Sequence, residues 1–434
     1  MKKIQLIIVF QFLALIFILS GCEDKYTEEY LSLEPVYMSY KDFREAVKTE
    51  STHSLQKPGK IYYKDNYLYI NEIMKGIHVY NNTNPASPQY VGFITIPGNV
   101  DMVIKGNIMY ADSYIDLVGI DISNPASAKE VARLKSVFPY SVPPSEPNYR
   151  MGQIDDTQGV VVDWNIKKIR KEIEQIEYTN YPVYFGNRFA EFSLSSDASK
   201  NGASQNGASQ GTAAGIGGSM ARFGLIGNHL LAVDNSTYYN IDLTSANSPK
   251  LETKTGISWG IETMFLSGNT MFLGTRNGMV VYNVADVTKP TYISNFWHAT
   301  GCDPVVVQNN RAYVTIRAGS PCQNNAINRL DVLDITILKT PVLMRSYNMT
   351  SPYGLGIDDD VLFVCDGDAG LKVYDASDPY LITEHQIATF PNINAFDVIP
   401  LGNSLLMIGE DGFYQYNYTN LKDIKLISSI KVVK

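Results

Sequence analysis

A unit of about 40 residues recurs along this chain, and it constrains the fold more than any other feature. Each unit is a turn with Asn or Asp, a short apolar strand, a second turn with Gly, an apolar strand ending in Asp or Asn, then Pro and a further strand. The first copy runs Asn66-Tyr67-Leu68-Tyr69-Ile70, Gly76-Ile77-His78-Val79-Tyr80-Asn81, Asn84-Pro85 and Tyr90-Val91-Gly92-Phe93-Ile94. The second has Asn107-Ile108-Met109-Tyr110-Ala111, Leu117-Val118-Gly119-Ile120-Asp121 and Asn124-Pro125. The strand-ending residues Asn81, Asp121, Asp242, Asn283, Asp334, Asp375 and Asn417 follow one another at steps of 40, 121, 41, 51, 41 and 42 residues.

That period, with several strands per unit, predicts an all-β fold, a β-propeller. β-branched and aromatic residues suit a sheet covered on both faces, and the Asp or Asn closing the third strand is placed to accept backbone hydrogen bonds that start the next turn. The step of 121 residues after Asp121 leaves room for a degenerate blade, so the expectation is seven or eight blades: seven clear repeats plus one degenerate copy. In that interval Gly159-Val160-Val161-Val162-Asp163-Trp164 reads as a strand. A helix is expected from about Asn165 to Glu177, with Ile166, Ile169, Ile173 and Ile176 on one face. Ser199 to Ser219 is rich in Gly, Ser, Ala, Gln and Asn and too poor in bulky apolar groups to pack. The propeller is thus expected to fill residues 36–434 as a single domain, with an insertion at 165–219.

The chain starts with Lys2 and Lys3 and an apolar run from Ile4 to Leu19, the charged start and short apolar middle of an export signal. Leu19-Ser20-Gly21-Cys22 resembles the lipobox of bacterial lipoproteins, which implies a signal peptide over 1–21, cleavage before Cys22 and lipidation of that cysteine. Several acyl chains, at about 0.8 kcal/mol per buried methylene, anchor a protein almost irreversibly. Glu23, Asp24, Glu28 and Glu29 make 22–35 an acidic tether. This cluster resembles the surface-export signal of Bacteroidota lipoproteins and implies an outer-membrane protein at the cell surface, with the periplasmic face as the alternative.

The repeats Gly76 to Asn81, Leu117-Val118-Gly119-Ile120-Asp121 and Gly370-Leu371-Lys372-Val373-Tyr374-Asp375 resemble the LVIVD-repeat proteins, extracytoplasmic propellers of Bacteroidota. Ile96-Pro97-Gly98-Asn99-Val100-Asp101, Tyr110-Ala111-Asp112-Ser113 and Cys365-Asp366-Gly367 carry the same resemblance. It extends over roughly residues 36 to 430 and implies the architecture, with no chemistry attached.

Candidate sites are few. Lys and Arg number 36 against 44 Asp and Glu, a net charge of -8 that argues against nucleic acid. Cys302 and Cys322 flank a predicted hairpin, Pro304 to Gln308 and Arg311 to Arg317, and are expected to form a disulfide contributing about 3 kcal/mol. Cys365 reads as a buried small hydrophobe. His78 and His229 fall within strands and read as structural, and Asp358-Asp359-Asp360 and Asp366-Gly367-Asp368 read as turn residues. No spacing indicates a metal, a cofactor or a catalytic residue. Counting six residues back from Asn66, Asn107, Asn228, Asn309 and Asn403 gives Lys60, Asp101, Arg222, Asp303 and Asp397, a ring of charges expected to line the central channel. It is either an axial ligand site or a self-neutralising set of ion pairs. Of the 29 Tyr, those in strands read as packing between blades, while Tyr140, Tyr149, Tyr178, Tyr181 and Tyr184 are candidates for a binding surface.

These features favour a lipid-anchored, non-catalytic binding or adhesion module for a glycan, a peptide or an envelope protein, held to the membrane through Cys22. The alternatives are a hydrolase or lyase using channel carboxylates and a structural subunit of an envelope complex.

Overall fold

The computed structural model describes residues 26–145, 149–173, 216–219, 221–297, 304–318 and 327–433. They belong to two compact units, one spanning Met1–Val36, Ser145–Asp155 and Asp163–Tyr184, the other Tyr37–Pro144, Asp156–Val162 and Phe185–Lys434.

The larger unit is a seven-bladed β-propeller. Blade 1 comprises Pro58–Lys64, Tyr67–Glu72, Gly76–Asn81 and Gln89–Thr95, and blade 2 Met102–Lys105, Ile108–Ser113, Asp116–Asp121 and Lys129–Leu134. Blade 3 follows with Phe223–Ile226, His229–Val233, Thr237–Asp242 and Lys250–Gly256, and blade 4 with Ile261–Ser267, Thr270–Thr275, Gly278–Asn283 and Thr291–Trp297. Blade 5 is Val305–Gln308, Arg311–Ile316, Arg329–Asp334 and Val342–Asn348; blade 6 is Leu355–Asp358, Val361–Cys365, Leu371–Asp375 and Gln386–Phe390. Blade 7 is Ala395–Pro400, Ser404–Gly409, Gly412–Asn417 and Lys425–Lys431. Every blade is an antiparallel meander; blade 1 adds Ile216–Gly217 on its inner edge and Lys48–Glu50 on its outer edge.

The strand-ending Asn and Asp act as the sequence suggests. Asn81, Asp121, Asp242, Asn283, Asp334, Asp375 and Asn417 each accept, on Oδ1, the backbone N–H two residues on, at 2.8–3.0 Å. A bulge interrupts the third-to-fourth strand register in all seven blades. At the start of the third strand, Gly76 (φ +151) and Gly412 (φ +139) leave no room for a side chain. A Cβ would lie 2.0 Å from the Ile94 carbonyl in the first case and 2.1 Å from that of Ile430 in the second.

The first strands adjoin one another around the centre of the ring. Interblade cores then close the circle: one joins blades 1, 2 and 3, others join 3 with 4, 4 through 6, and 6 with 7. Leu55, Ile61, Leu68 and Ile70 pack against Ile399, Leu406, Ile408 and Phe413 to join blade 7 to blade 1. Each blade's four-stranded meander comes from one continuous segment, so side-chain packing rather than a shared strand closes the ring.

Blades 2 and 3 are direct neighbours. Lys105 Nζ donates to Asn228 Oδ1 at 2.7 Å and Tyr110 to the Ala246 carbonyl at 3.1 Å. The long excursion between them therefore adds no eighth blade. Its expected helix is a strand, Val160–Ile173, over the described part of the segment, while residues 174–177 lie outside the described residues. The isoleucine spacing fits a helix, but Val160, Val161, Val162 and the isoleucines are β-branched. A long-range partner decides the matter, because Tyr26–Met38 pairs with this strand in a three-stranded sheet completed by Arg150–Met151. Much of the expected tether over 22–35 is thus also strand.

A short helix, Tyr40–Glu45, is capped by Ser39, whose Oγ accepts from Asp42 N at 3.1 Å. Its Phe43 is buried edge-on against Tyr114. Its Arg44 joins Arg133 on the fully buried carboxylate of Asp116, at 2.8 and 3.2 Å.

Candidate functional site

The antiparallel meander gives the propeller two unlike faces. One, the lower face, carries the turns from first to second and from third to fourth strand. These are regular apart from the ten-residue connection 376–385 of blade 6, and the residue after the third strand donates its N–H to the first turn of the same blade, as Ile122 does to Asn107 and Val284 to Asn269. The other, the upper face, is where first strands begin and fourth strands end. The longest connections, 135–222 and 317–328, and the lead-in at 37–57 lie at this end.

The charges at the start of the first strands lie at this upper end. Lys60 and Asp101 form an ion pair, 8% and 2% exposed respectively. Asp101 Oδ2 also accepts the Arg222 N–H at 2.7 Å, and Oδ1 that of Met102 at 2.8 Å. The Arg222 guanidinium turns to blade 4 and donates from Nε to the Glu262 carbonyl at 2.7 Å. Three expected ring members are therefore brought together and satisfy one another. Burial lowers the Lys60 ammonium and Arg222 guanidinium, opposed by Asp101 for the first and by Glu262 and Asp101 for the second.

Asp397 is 1% exposed. Its Oδ1 accepts from Val398 N at 2.7 Å, while Oδ2 is buried with no hydrogen-bond partner among the described residues. A Cβ on Gly218 would fall 2.1 Å from that oxygen, so the segment preceding blade 3 lies directly over it. Burial pushes the Asp397 carboxyl well above the usual range, opposed by Val398 N–H and Lys60. Asp303 lies outside the described residues.

Spacing alone missed the Asp112 carboxylate beneath this cluster. Its Oδ1 gathers the N–H groups of Val100 and Asp101 and the Asn99 amide, each at 2.8 Å. Burial pushes its carboxyl up to about 7, against the pull of those backbone donors. The signal in the sequence was the density of short polar residues in Asn99-Val100-Asp101 and Asp112-Ser113.

The remaining candidates fall as follows. Tyr140 is half-buried and donates to the Gly159 carbonyl at 2.9 Å; burial raises its phenol. It packs on Phe43, Tyr114 and Val160 and so serves as a support. Tyr149 is half-buried. Tyr178, Tyr181, Tyr184, Cys302, Cys322 and Cys22 lie outside the described residues. Cys365 is fully buried, and its thiol is pushed well up by desolvation. His78 is buried with Nε2 3.2 Å from Glu72 Oε2. Asp366 is occupied by Thr350 N–H, Ser351 N–H and the Lys372 ammonium, which leaves it no vacant oxygen for a cation. Among the described residues no His, Cys, Asp and Glu cluster is placed to hold a metal, and no helix is long and apolar enough to cross a membrane.

A seven-bladed β-propeller is the class this geometry defines. Among solved structures it is similar to the computationally designed Ika8 protein, at 10% identity over 89% of this chain and 91% of that one, with a TM-score of 0.50. It is also similar to Saccharomyces cerevisiae Sqt1, at 7% identity over 94% and 89% with a TM-score of 0.48. BamB from Moraxella catarrhalis gives 7% identity over 83% and 82% with a TM-score of 0.44. No family model and no curated protein matches the chain.

Proposed function

We propose that this protein is a lipid-anchored envelope propeller that binds a ligand on its upper face and performs no chemistry there. One observation carries the reading: the longest connections, 135–222 and 317–328, and the lead-in 37–57 all lie at one end of the ring, while the other end repeats the same turn in every blade. Variable loops on a rigid scaffold are where binding residues concentrate. Of the charges below those segments, Lys60, Asp101 and the Arg222 backbone are spent on one another. The lipid on Cys22, the outer-membrane surface location and the kinship with LVIVD-repeat proteins belong to the same proposal and rest on the sequence motifs.

The test is capture from the cell's own envelope with the full-length lipidated protein, alongside glycan-array binding. A specific glycan, peptide or protein ligand on either arm is expected. Failure of both arms with folded protein overturns the reading. Protease shaving of intact cells tests the location; protection until the outer membrane is permeabilised overturns surface display.

The raised carboxyls of Asp112 and Asp397 favour a second reading, acid–base chemistry at the channel. Both are almost fully buried and covered by chain, which leaves substrate no approach. Asp112→Asn and Asp397→Asn would abolish turnover in a hydrolase or lyase and leave ligand binding intact in a binding module.

A further inference from the structure

The strand Tyr26–Met38 begins four residues after Cys22, so at ~3.5 Å per residue its first residue lies within ~14 Å of that cysteine. Its side chains alternate between two faces, and residues 27, 29 and 31 are the exposed set. Glu29 on that face meets two cations of the neighbouring strand Val160–Ile173: Lys168 Nζ lies 2.5 Å from its Oε2 and Arg170 Nε 3.8 Å from its Oε1. Ile166, Lys168 and Arg170 are alternate residues of one strand and therefore share this face with Glu29 and Leu31. The two strands run antiparallel: Gly159 lies against the Met38 carbonyl, where a Cβ would come within 1.9 Å, and Lys168 against Glu29. Leu31 consequently comes beside Ile166, and the two cations lie toward Tyr26, the end nearest Cys22. Leu31 and Ile166 are 39% and 59% exposed, and the Lys168 and Arg170 side chains 65% and 72%.

We infer that this face rests on the membrane, with Leu31 and Ile166 at the boundary of the acyl region and Lys168 and Arg170 on the phosphates of anionic lipid headgroups. Exposed apolar side chains beside long basic ones suit the headgroup layer, where the methyl groups leave water and the cations meet phosphate. Glu29 is shared between the two cations, so among the described side chains of the face one positive charge is left over, and its complement is an anionic surface. Position argues the same way. A lipid on Cys22 would hold this strand beside the bilayer, where contact becomes intramolecular and a weak face is enough to fix the orientation. A protein partner would call for an apolar centre rimmed by charge, whereas here the apolar pair and the cations follow one another along the strand toward Cys22. The orientation rests on the lipid attachment proposed above; the affinity of the face for anionic lipid does not.

The test is sedimentation of the chain from residue 22 onward, carrying Cys22→Ser and so no lipid, with vesicles of phosphatidylcholine alone and of phosphatidylcholine mixed with phosphatidylglycerol. Binding is expected on the mixed vesicles, weakened by salt, and roughly tenfold weaker on the neutral ones. Each cation at an anionic surface adds roughly fivefold, so Lys168→Glu with Arg170→Glu should weaken binding by roughly tenfold or more. Leu31→Ser with Ile166→Ser should weaken it by about fivefold. Lys339→Glu with Lys422→Glu places the same number of new carboxylates on exposed turns of the propeller and should leave binding within about twofold. Equal melting temperatures show that the variants are folded. No binding to the mixed vesicles, or an equal loss in the propeller pair, overturns the inference. The mass of the protein taken from its own envelope is read separately: acyl chains on Cys22 support the anchor and a bare Cys22 overturns it, whichever way the vesicles decide.

Discussion

Replacing Asp101 by Asn would leave the Lys60 ammonium in a site that is 8% exposed, without the carboxylate it pairs with. Breaking a buried pair from one side costs about 3–5 kcal/mol, because the surviving charge keeps its desolvation penalty and loses its compensation. Lys60→Met is the milder change, since Asp101 keeps the N–H groups of Arg222 and Met102. The double variant Lys60→Met with Asp101→Asn removes both charges and should recover most of the loss, giving a coupling of about 2 kcal/mol or more. For a ring of this size 3–5 kcal/mol corresponds to a fall of about 4–6 °C in melting temperature. Calorimetry on the four proteins at one pH measures it. Additive losses, with coupling under about 0.5 kcal/mol, would refute the view that this cluster is a self-compensating structural pair.

Three further outcomes follow from the same contacts. Asp112 has its folded carboxyl pushed up to about 7 from 3.8, so its contribution to stability is complete below pH ~4 and is lost as pH rises through 7. Urea midpoints at pH 5 and 8 should therefore fall more in the wild type than in Asp112→Asn; equal slopes would refute this. The strand-end carboxyls of Asp121, Asp242, Asp334 and Asp375 are held low, first by hydrogen bonds from Ser123, Thr244, Thr336 and Ser377. Their share is present above pH ~4 and is lost as pH falls through their folded values, so acid should loosen the lower-face turns first, visible as early amide exchange there. Phe413→Ala, at the seam between blades 7 and 1, should cost about 3–5 kcal/mol and raise amide exchange in those two blades before the others; uniform exchange across the ring would count against closure by packing.

Most of the ring is legible in the sequence. Asn81, Asp121 and their five counterparts recur because each blade needs the same side chain to start the same turn, and a local requirement repeated seven times leaves a period in the sequence. The excursion after blade 2 has no such repetition. Its isoleucines fit a helical spacing, and only the pairing with Tyr26–Met38, more than a hundred residues away, selects strand. Non-local pairing of this kind leaves no mark within a short window. The count of six from each turn located Lys60, Asp101, Arg222 and Asp397 because register is preserved from blade to blade. It passed over Asp112, whose role depends on a second strand meeting the loop at Asn99-Val100-Asp101 from the side.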